Sequence, residues 1–188
     1  HSLTKNKTGK SVIKVGDNAT LSLCDCSDAQ SGKLTHGTTA SGLKYTGHGV
    51  SLGYRSTFNM YGGSITGNFC NDSAGGVAIT SGTFNMYGGT ITENTATSDG
   101  GGIYVGTKGA LNLYGGTITR NTVSTNEGRH GGGVYVESNF KTGVGKISIS
   151  GSPVITGNTR VYTDATTGAE TTSTENLYLS YGFYNSGQ

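Results

Sequence analysis

The chain has 188 residues, among them 34 glycines, one proline and no tryptophan, and 13% of its residues are charged. This balance excludes an ordinary helical domain, because the Thr, Ser and Asn that replace charged residues suit exposed strands and tight turns better than exposed helices. With 13 basic and 11 acidic residues the net charge is +2, so nucleic acid is not an implied partner, and no apolar run approaches the length that would insert into a membrane.

Taken in chain order, Leu3-Thr4-Lys5-Asn6 opens the sequence and is followed by a small basic cluster at Lys5, Lys7, Lys10 and Lys14. Period-two apolar pairs come next at Ile13/Val15 and Leu21/Leu23, then Leu34, then Val50/Leu52. From residue 57 the pattern becomes an explicit repeat: TFNMYGGSITGN at 57 to 68, TFNMYGGTITEN at 83 to 94 and ALNLYGGTITRN at 110 to 121. A weaker copy, KISISGSPVITGN, spans 146 to 158, and the starts are 26, 27 and 36 residues apart. Between copies lie GGVAI at 75 to 79, GGIYV at 101 to 105 and GGVYV at 132 to 136. A supersecondary unit recurring at this period is the mark of a solenoid. Each unit holds three strand-like segments, which predicts a parallel β-helix with three strands per coil and about five to six coils.

Residues i and i+2 of a strand share a face, so the inward columns can be read off. The first is Ile13/Val15, Val50/Leu52, Val77/Ile79, Ile103/Val105, Val134/Val136 and Leu177/Leu179; the second is Leu21/Leu23, Phe58/Met60, Phe84/Met86, Leu111/Leu113 and Ile147/Ile149; the third is Leu34, Ile65, Ile91, Ile118 and Ile155. Each coil buries about five apolar side chains, worth roughly 1.5–3 kcal/mol apiece before entropy, so no coil stands alone. Asn6, Asn68, Asn94, Asn121 and Asn158 follow the third strand, with Gly37 as the exception. An amide there can bond its own turn and the amide one coil away, which predicts an asparagine ladder. Three cysteines, Cys24, Cys26 and Cys70, cannot all pair in one chain and read as small buried or half-buried thiols rather than a metal site.

The Gly-Gly-aliphatic and Ile-Thr-x-Asn elements, as in GGTITRN and GGGVYV, resemble the β-helical repeat regions of large bacterial cell-surface proteins. They look like chlamydial polymorphic outer-membrane protein repeats and adhesin-like wall proteins of gut Firmicutes, which the Ala19 to Ser27 stretch ATLSLCDCS also resembles. The ladder and the unequal sides are similar to right-handed pectate-lyase-like helices, so the right-handed form is expected. Leu3-Thr4-Lys5-Asn6 matches the later Ile-Thr-x-Asn tails, so the chain opens inside a coil, and a single β-helix domain over 1–188 that is a fragment of a longer protein is expected. The resemblance implies an extracellular stalk or adhesin, secreted or on the bacterial surface. It carries over no catalytic residue and no cofactor.

Enzymes on this fold place carboxylates on an outward sheet face, but here the outward first column is Lys14, Ser51, Ala78, Tyr104, Tyr135 and Tyr178, and the second is Ser22, Asn59, Asn85, Asn112 and Ser148. Every acid falls in a turn or loop, and Asp72 and Asp99 precede their glycine pairs, where turn chemistry accounts for them. A polysaccharide lyase or glycoside hydrolase is thus an alternative only. The tyrosines Tyr104, Tyr135 and Tyr178, flanked by loops 122 to 131, 137 to 145 and 159 to 175 with Arg129 and His130, are the candidate surface for a glycan or a host protein; the competing reading is strand formers stacking on one another. A second alternative, ice binding, rests on the outward row Ser2/Thr4, Lys33/Thr35, Ser64/Thr66, Thr90/Thr92, Thr117/Thr119 and Val154/Thr156, which Lys33 and Val154 interrupt. Tyr61, Tyr87 and Tyr114 read as a structural ladder at the Tyr-Gly-Gly corner, Glu93 and Arg120 as an exposed pair of little weight, and the four scattered histidines indicate no metal. Open coils at the ends predict capping segments or end-to-end self-association.

Overall fold

The alternation of apolar and polar residues becomes a stack of parallel sheets in the computed structural model, which describes residues 2–27, 31–126, 128–139 and 141–180. Sheet I contains Ile13–Val15, Val50–Leu52, Val77–Ile79, Ile103–Val105, Val134–Val136 and Leu177–Leu179; sheet II contains Thr20–Leu23, Thr57–Met60, Thr83–Met86, Ala110–Leu113 and Lys146–Ile149. Sheet III contains Ser2–Lys5, Lys33–His36, Ser64–Thr66, Thr90–Thr92, Thr117–Thr119 and Val154–Thr156. Equivalent residues pair across coils without slip, as in Phe84 with Phe58 and Leu111, and Ile91 with Ile65 and Ile118. The chain is a parallel β-helix.

The coils differ from the three-strand expectation by a further short strand. Sheet IV is built from Phe69–Cys70, Thr95–Ala96, Thr122–Thr125 and Thr159–Thr163, with Glu170–Thr174 added antiparallel at its edge. Its first two members offer two residues each, too few to show a period, and their inward side chains, Cys70 and Ala96, are small. The long segment 159 to 175 is thus mostly a hairpin rather than a loop, its tip closed by the Asp164 carboxylate accepting from the Thr166 and Thr167 amides.

The inward columns form one continuous core. Phe58, Met60, Ile65, Ile79, Phe84, Met86, Ile91, Ile103, Leu111 and Leu113 are fully buried, and the Phe58 and Phe84 rings stack at 4.9 Å. Burial falls toward both ends of the stack, where Leu3, Ile149, Leu177 and Leu179 are exposed and no further coil lies over them among the described residues. The glycine pairs allow adjacent coils to approach closely: a side chain begun at Gly75 would lie 2.6 Å from the Gly101 carbonyl oxygen. At the Tyr-Gly-Gly corner, Gly89 and Gly116 hold φ of 82° and 83°, which favours glycine.

The asparagine ladder runs Asn68, Asn94, Asn121, Asn158 and then Asn176, each Nδ2 donating to the Oδ1 of the next at 2.9 to 3.1 Å. The same oxygens accept from the preceding ladder residue's backbone amide. Asn68, Asn94, Asn121 and Asn158 are buried. Two corrections apply to the expected row. Asn6 does not continue it, since its carboxamide fills the space where a side chain at Gly37 would begin; instead buried His36 places Nδ1 2.9 Å from Asn68 Oδ1 and Nε2 2.9 Å from the Lys10 carbonyl. Asn176 was hidden because it precedes a sheet I strand instead of following a sheet III strand. The cysteines also depart from expectation: Cys70 is buried, but Cys24 and Cys26 are exposed, with their sulfurs 2.8 Å apart. They occupy the corner that Tyr-Gly-Gly fills in later coils, and there a longer loop, tied by Asp25 to Ser27 and Gly32, replaces the tight turn.

Candidate functional site

Sheet I presents its outward column along one face, and the register places Tyr104, Tyr135 and Tyr178 side by side on successive coils. Their rings stack with centroids 5.7 Å apart and planes within 8° of parallel. His130, carried by the loop that follows sheet IV, extends the stack, lying 4.0 Å from the Tyr178 ring at 4°. Offset stacking of this kind is favourable for aromatic rings. The result is a half-buried aromatic strip of four rings made by three strands and one loop.

Three carboxylates edge the strip, and none was expected there. Glu175 accepts from His130 Nδ1 at 2.9 Å and from the Gly131 amide, fixing the histidine ring against Tyr178. Asp99 accepts from the His130 amide at 2.9 Å, and Arg129 Nη1 lies 3.7 Å from its second oxygen. At the other edge Glu137 accepts from the Tyr104 hydroxyl at 2.7 Å and from the Thr107 amide at 3.2 Å. Sheets I to III contain no acid, whereas sheet IV carries Glu170 at the start of its antiparallel edge strand, where a turn or loop was expected; the three at the strip come from the residue just after Val136, from two residues before Leu177, and from the turn before Gly100. Proximity to strand ends was the available signal. Asp99 does act in turn chemistry, but it ties the next coil's turn rather than its own.

Burial governs the electrostatics of this strip. It pushes the Tyr104 phenol well above the ordinary range, with the Glu137 bond adding to the shift, and pushes Tyr135 up in the same way. It also raises the Asp99 carboxyl, against the opposing pull of the His130 amide and Arg129. Tyr104 and Tyr135 are therefore held in their neutral form, and Glu137 and Glu175 are acceptors already engaged with protein groups. Such a surface offers flat apolar faces with hydroxyl and imidazole edges, a chemistry suited to stacking on sugar rings or to anchoring a protein side chain. Arg129, by contrast, does not join the stack: it lines an adjacent polar groove with Ser98, Ser124 and Asn126.

The remaining features are structural. Tyr61, Tyr87 and Tyr114 stack at 4.8 Å along the corner. Asn59, Asn85 and Asn112 form a second, outward amide row on sheet II at 2.8 Å. Arg120 and Glu93 meet at 3.4 Å with both side chains largely exposed, so the pair carries little energy. In the threonine row Thr92 is buried and its hydroxyl has no hydrogen-bond partner. Among the described residues no group of His, Cys, Asp and Glu is placed to hold a metal ion, and no helix is long and apolar enough to cross a membrane. No protein-family model matches the chain, and no curated protein or solved structure is significantly similar to it.

Proposed function

We propose that the chain is a rigid, non-enzymatic segment of a bacterial surface or secreted protein that recognises glycans through the aromatic strip on sheet I. The observation that carries this reading is the stack of Tyr104, Tyr135, Tyr178 and His130 pinned by Glu137 and Glu175. Packed rings held in place by hydrogen bonds are pre-organised, so little side-chain entropy is lost when a partner stacks on them. The solenoid around them supplies stiffness, since every coil is hydrogen-bonded to its neighbours in several sheets. A glycan array that includes mucin-type and plant polysaccharides, read with the native protein and with Tyr135→Ala, tests it. Specific binding that Tyr135→Ala weakens about tenfold or more is the expected result; a blank array, or binding indifferent to the substitution, overturns it.

A second reading, a carbohydrate-active enzyme, is favoured by one observation: Asp99, Glu137 and Glu175 border the strip where a sugar would lie. Each is occupied in holding a tyrosine, a histidine or a backbone amide, and those bonds would have to be given up for acid–base work. Release of new reducing or unsaturated ends from an acidic polysaccharide, abolished by Glu175→Gln or Glu137→Gln, would replace the binding reading with this one.

A further inference from the structure

The strongest concentration of charge lies away from the aromatic strip, at the other end of the same flank. Lys5 ends a sheet III strand, Lys14 projects from the first sheet I strand, and Lys7 and Lys10 lie in the turn between them. The topology folds these four into one groove of about 830 Å³, shared with His48 and Ser51. Lys7, Lys10 and Lys14 are exposed. Among the described residues the ion pairs lie elsewhere, at Arg120 with Glu93, Arg129 with Asp99 and His130 with Glu175. The groove thus gathers like charges, and Asp72 is its single acidic residue. Such a concave basic surface concentrates anions by its field.

A second groove shares part of its wall with this one. Asn71 and Asp72 line both, and the second, of about 530 Å³, continues past Ser98, Ser124 and Asn126 to Arg129 and Thr163. The line runs from beside the first sheet III strand, at Lys5, to beside the sixth, at Thr163, five strand spacings of ~4.8 Å or roughly 24 Å. Its chemistry changes along the way, from ammonium groups to hydroxyls and amides, ending at a guanidinium that Asp99 partly offsets. Neither groove is lined by Phe, Tyr or Trp, so base stacking, the usual support for a single nucleic-acid strand, is absent. A hydroxyl- and amide-lined channel entered from a basic end matches a chain that has both charge and many hydroxyls.

We propose that the two joined grooves form a track for an acidic polysaccharide, with carboxylate or sulfate groups at the Lys5–Lys14 end and sugar hydroxyls along Ser98, Ser124 and Asn126. The proposal rests on the glycan-recognition reading, and names the class of glycan. The second groove is lined by Ser124, Thr125 and Thr163 of sheet IV, and in each coil sheet IV is followed by the sheet I strand that carries the aromatic strip.

The test is binding of the whole chain to immobilised polygalacturonate and chondroitin sulfate, with dextran as the neutral control and single-stranded DNA as the competing polyanion. Three variants accompany it: Lys7→Glu/Lys10→Glu, Ser124→Tyr and Tyr135→Ala. The expected result is binding to one or both acidic glycans, weakened by added salt and reduced about tenfold or more by the lysine pair, with a loss also in Ser124→Tyr. Acidic binding that the lysine pair leaves unchanged overturns the track, as does DNA binding of equal strength. Retention in Ser124→Tyr overturns the joining of the two grooves. Binding of dextran alone, lost in Tyr135→Ala, overturns the track while sustaining the aromatic strip; acidic binding lost in the lysine pair but kept in Tyr135→Ala sustains the track and overturns the strip. Circular dichroism of each variant establishes that the β-helix is intact before its binding is compared.

Discussion

Tyr61, Tyr87 and Tyr114 stack 4.8 Å apart along one corner of the solenoid, and Tyr104, Tyr135 and Tyr178 stack 5.7 Å apart on one of its faces. The corner rings follow the strand spacing because each belongs to a near-identical copy of the repeat. They are 42 to 51% exposed and simply cover a glycine turn. The face rings are half-buried, spread wider than one strand spacing, and tied at both edges to carboxylates from segments that differ between coils. Repetition builds a cover; the departures from it build a surface with hydrogen-bonding edges and directed chemistry. If that distinction holds, substitutions in the two columns have different consequences.

The largest effect is expected at Glu175. Glu175→Ala leaves the buried Gly131 amide without its acceptor and frees His130 from Tyr178, costing about 1–3 kcal/mol; the denaturation midpoint falls and glycan binding falls with it. Tyr87→Ala removes the middle ring of the corner column and costs about 1 kcal/mol. Glycan binding should be unchanged, and a loss there would erase the contrast between the columns. The phenols give a pH test. Burial holds Tyr104 and Tyr135 above the usual range, so the folded chain keeps protons that the unfolded chain gives up. Nothing is lost below the ordinary tyrosine pKa of about 10; stability drops as pH climbs past it. Absorbance titration of tyrosinate should show late-ionising phenols, one fewer in Tyr104→Phe. The smallest effect lies in turns that carry neither column. Glu93 and Arg120 hold φ of 56° and 53°, where equivalent positions have Gly67 and Gly157, so Glu93→Gly relaxes strain and raises stability by about 0.5 kcal/mol, less whatever the exposed pair contributed.

Sheets I to III, their register and the inward columns could be read from the sequence because period-two alternation recurs in copies of nearly fixed length. Sheet IV could not: Phe69-Cys70 and Thr95-Ala96 are too short to alternate. The ladder was legible from Asn68 to Asn158, where it follows Ile-Thr-x, and misread at its ends, where Gly37 and the 159 to 175 hairpin break that grammar. The tyrosine strip was visible as a column. Its carboxylates were not, since Asp99, Glu137 and Glu175 arrive from loops whose path a linear pattern does not reveal. The same holds for Cys24 and Cys26, expected as buried or half-buried thiols and exposed on the loop that displaces their corner. The lysine cluster was plain in the sequence as charge; its concavity was not.

The buried amide row has a consequence beyond holding turns together. Every link points the same way, Nδ2 of one coil to Oδ1 of the next, so each carbonyl faces the preceding coil and the individual dipoles add along the axis. The row is polarised like a helix, each bond strengthening its neighbours. Its negative pole, Asn68 Oδ1, is met by a ring nitrogen of His36. Reversing a single amide would place oxygen against oxygen on one side and nitrogen against nitrogen on the other, and would take the Oδ1 acceptor from a backbone amide, so the orientation is set by the backbone and the interior of the rod has a head and a tail that follow the chain direction.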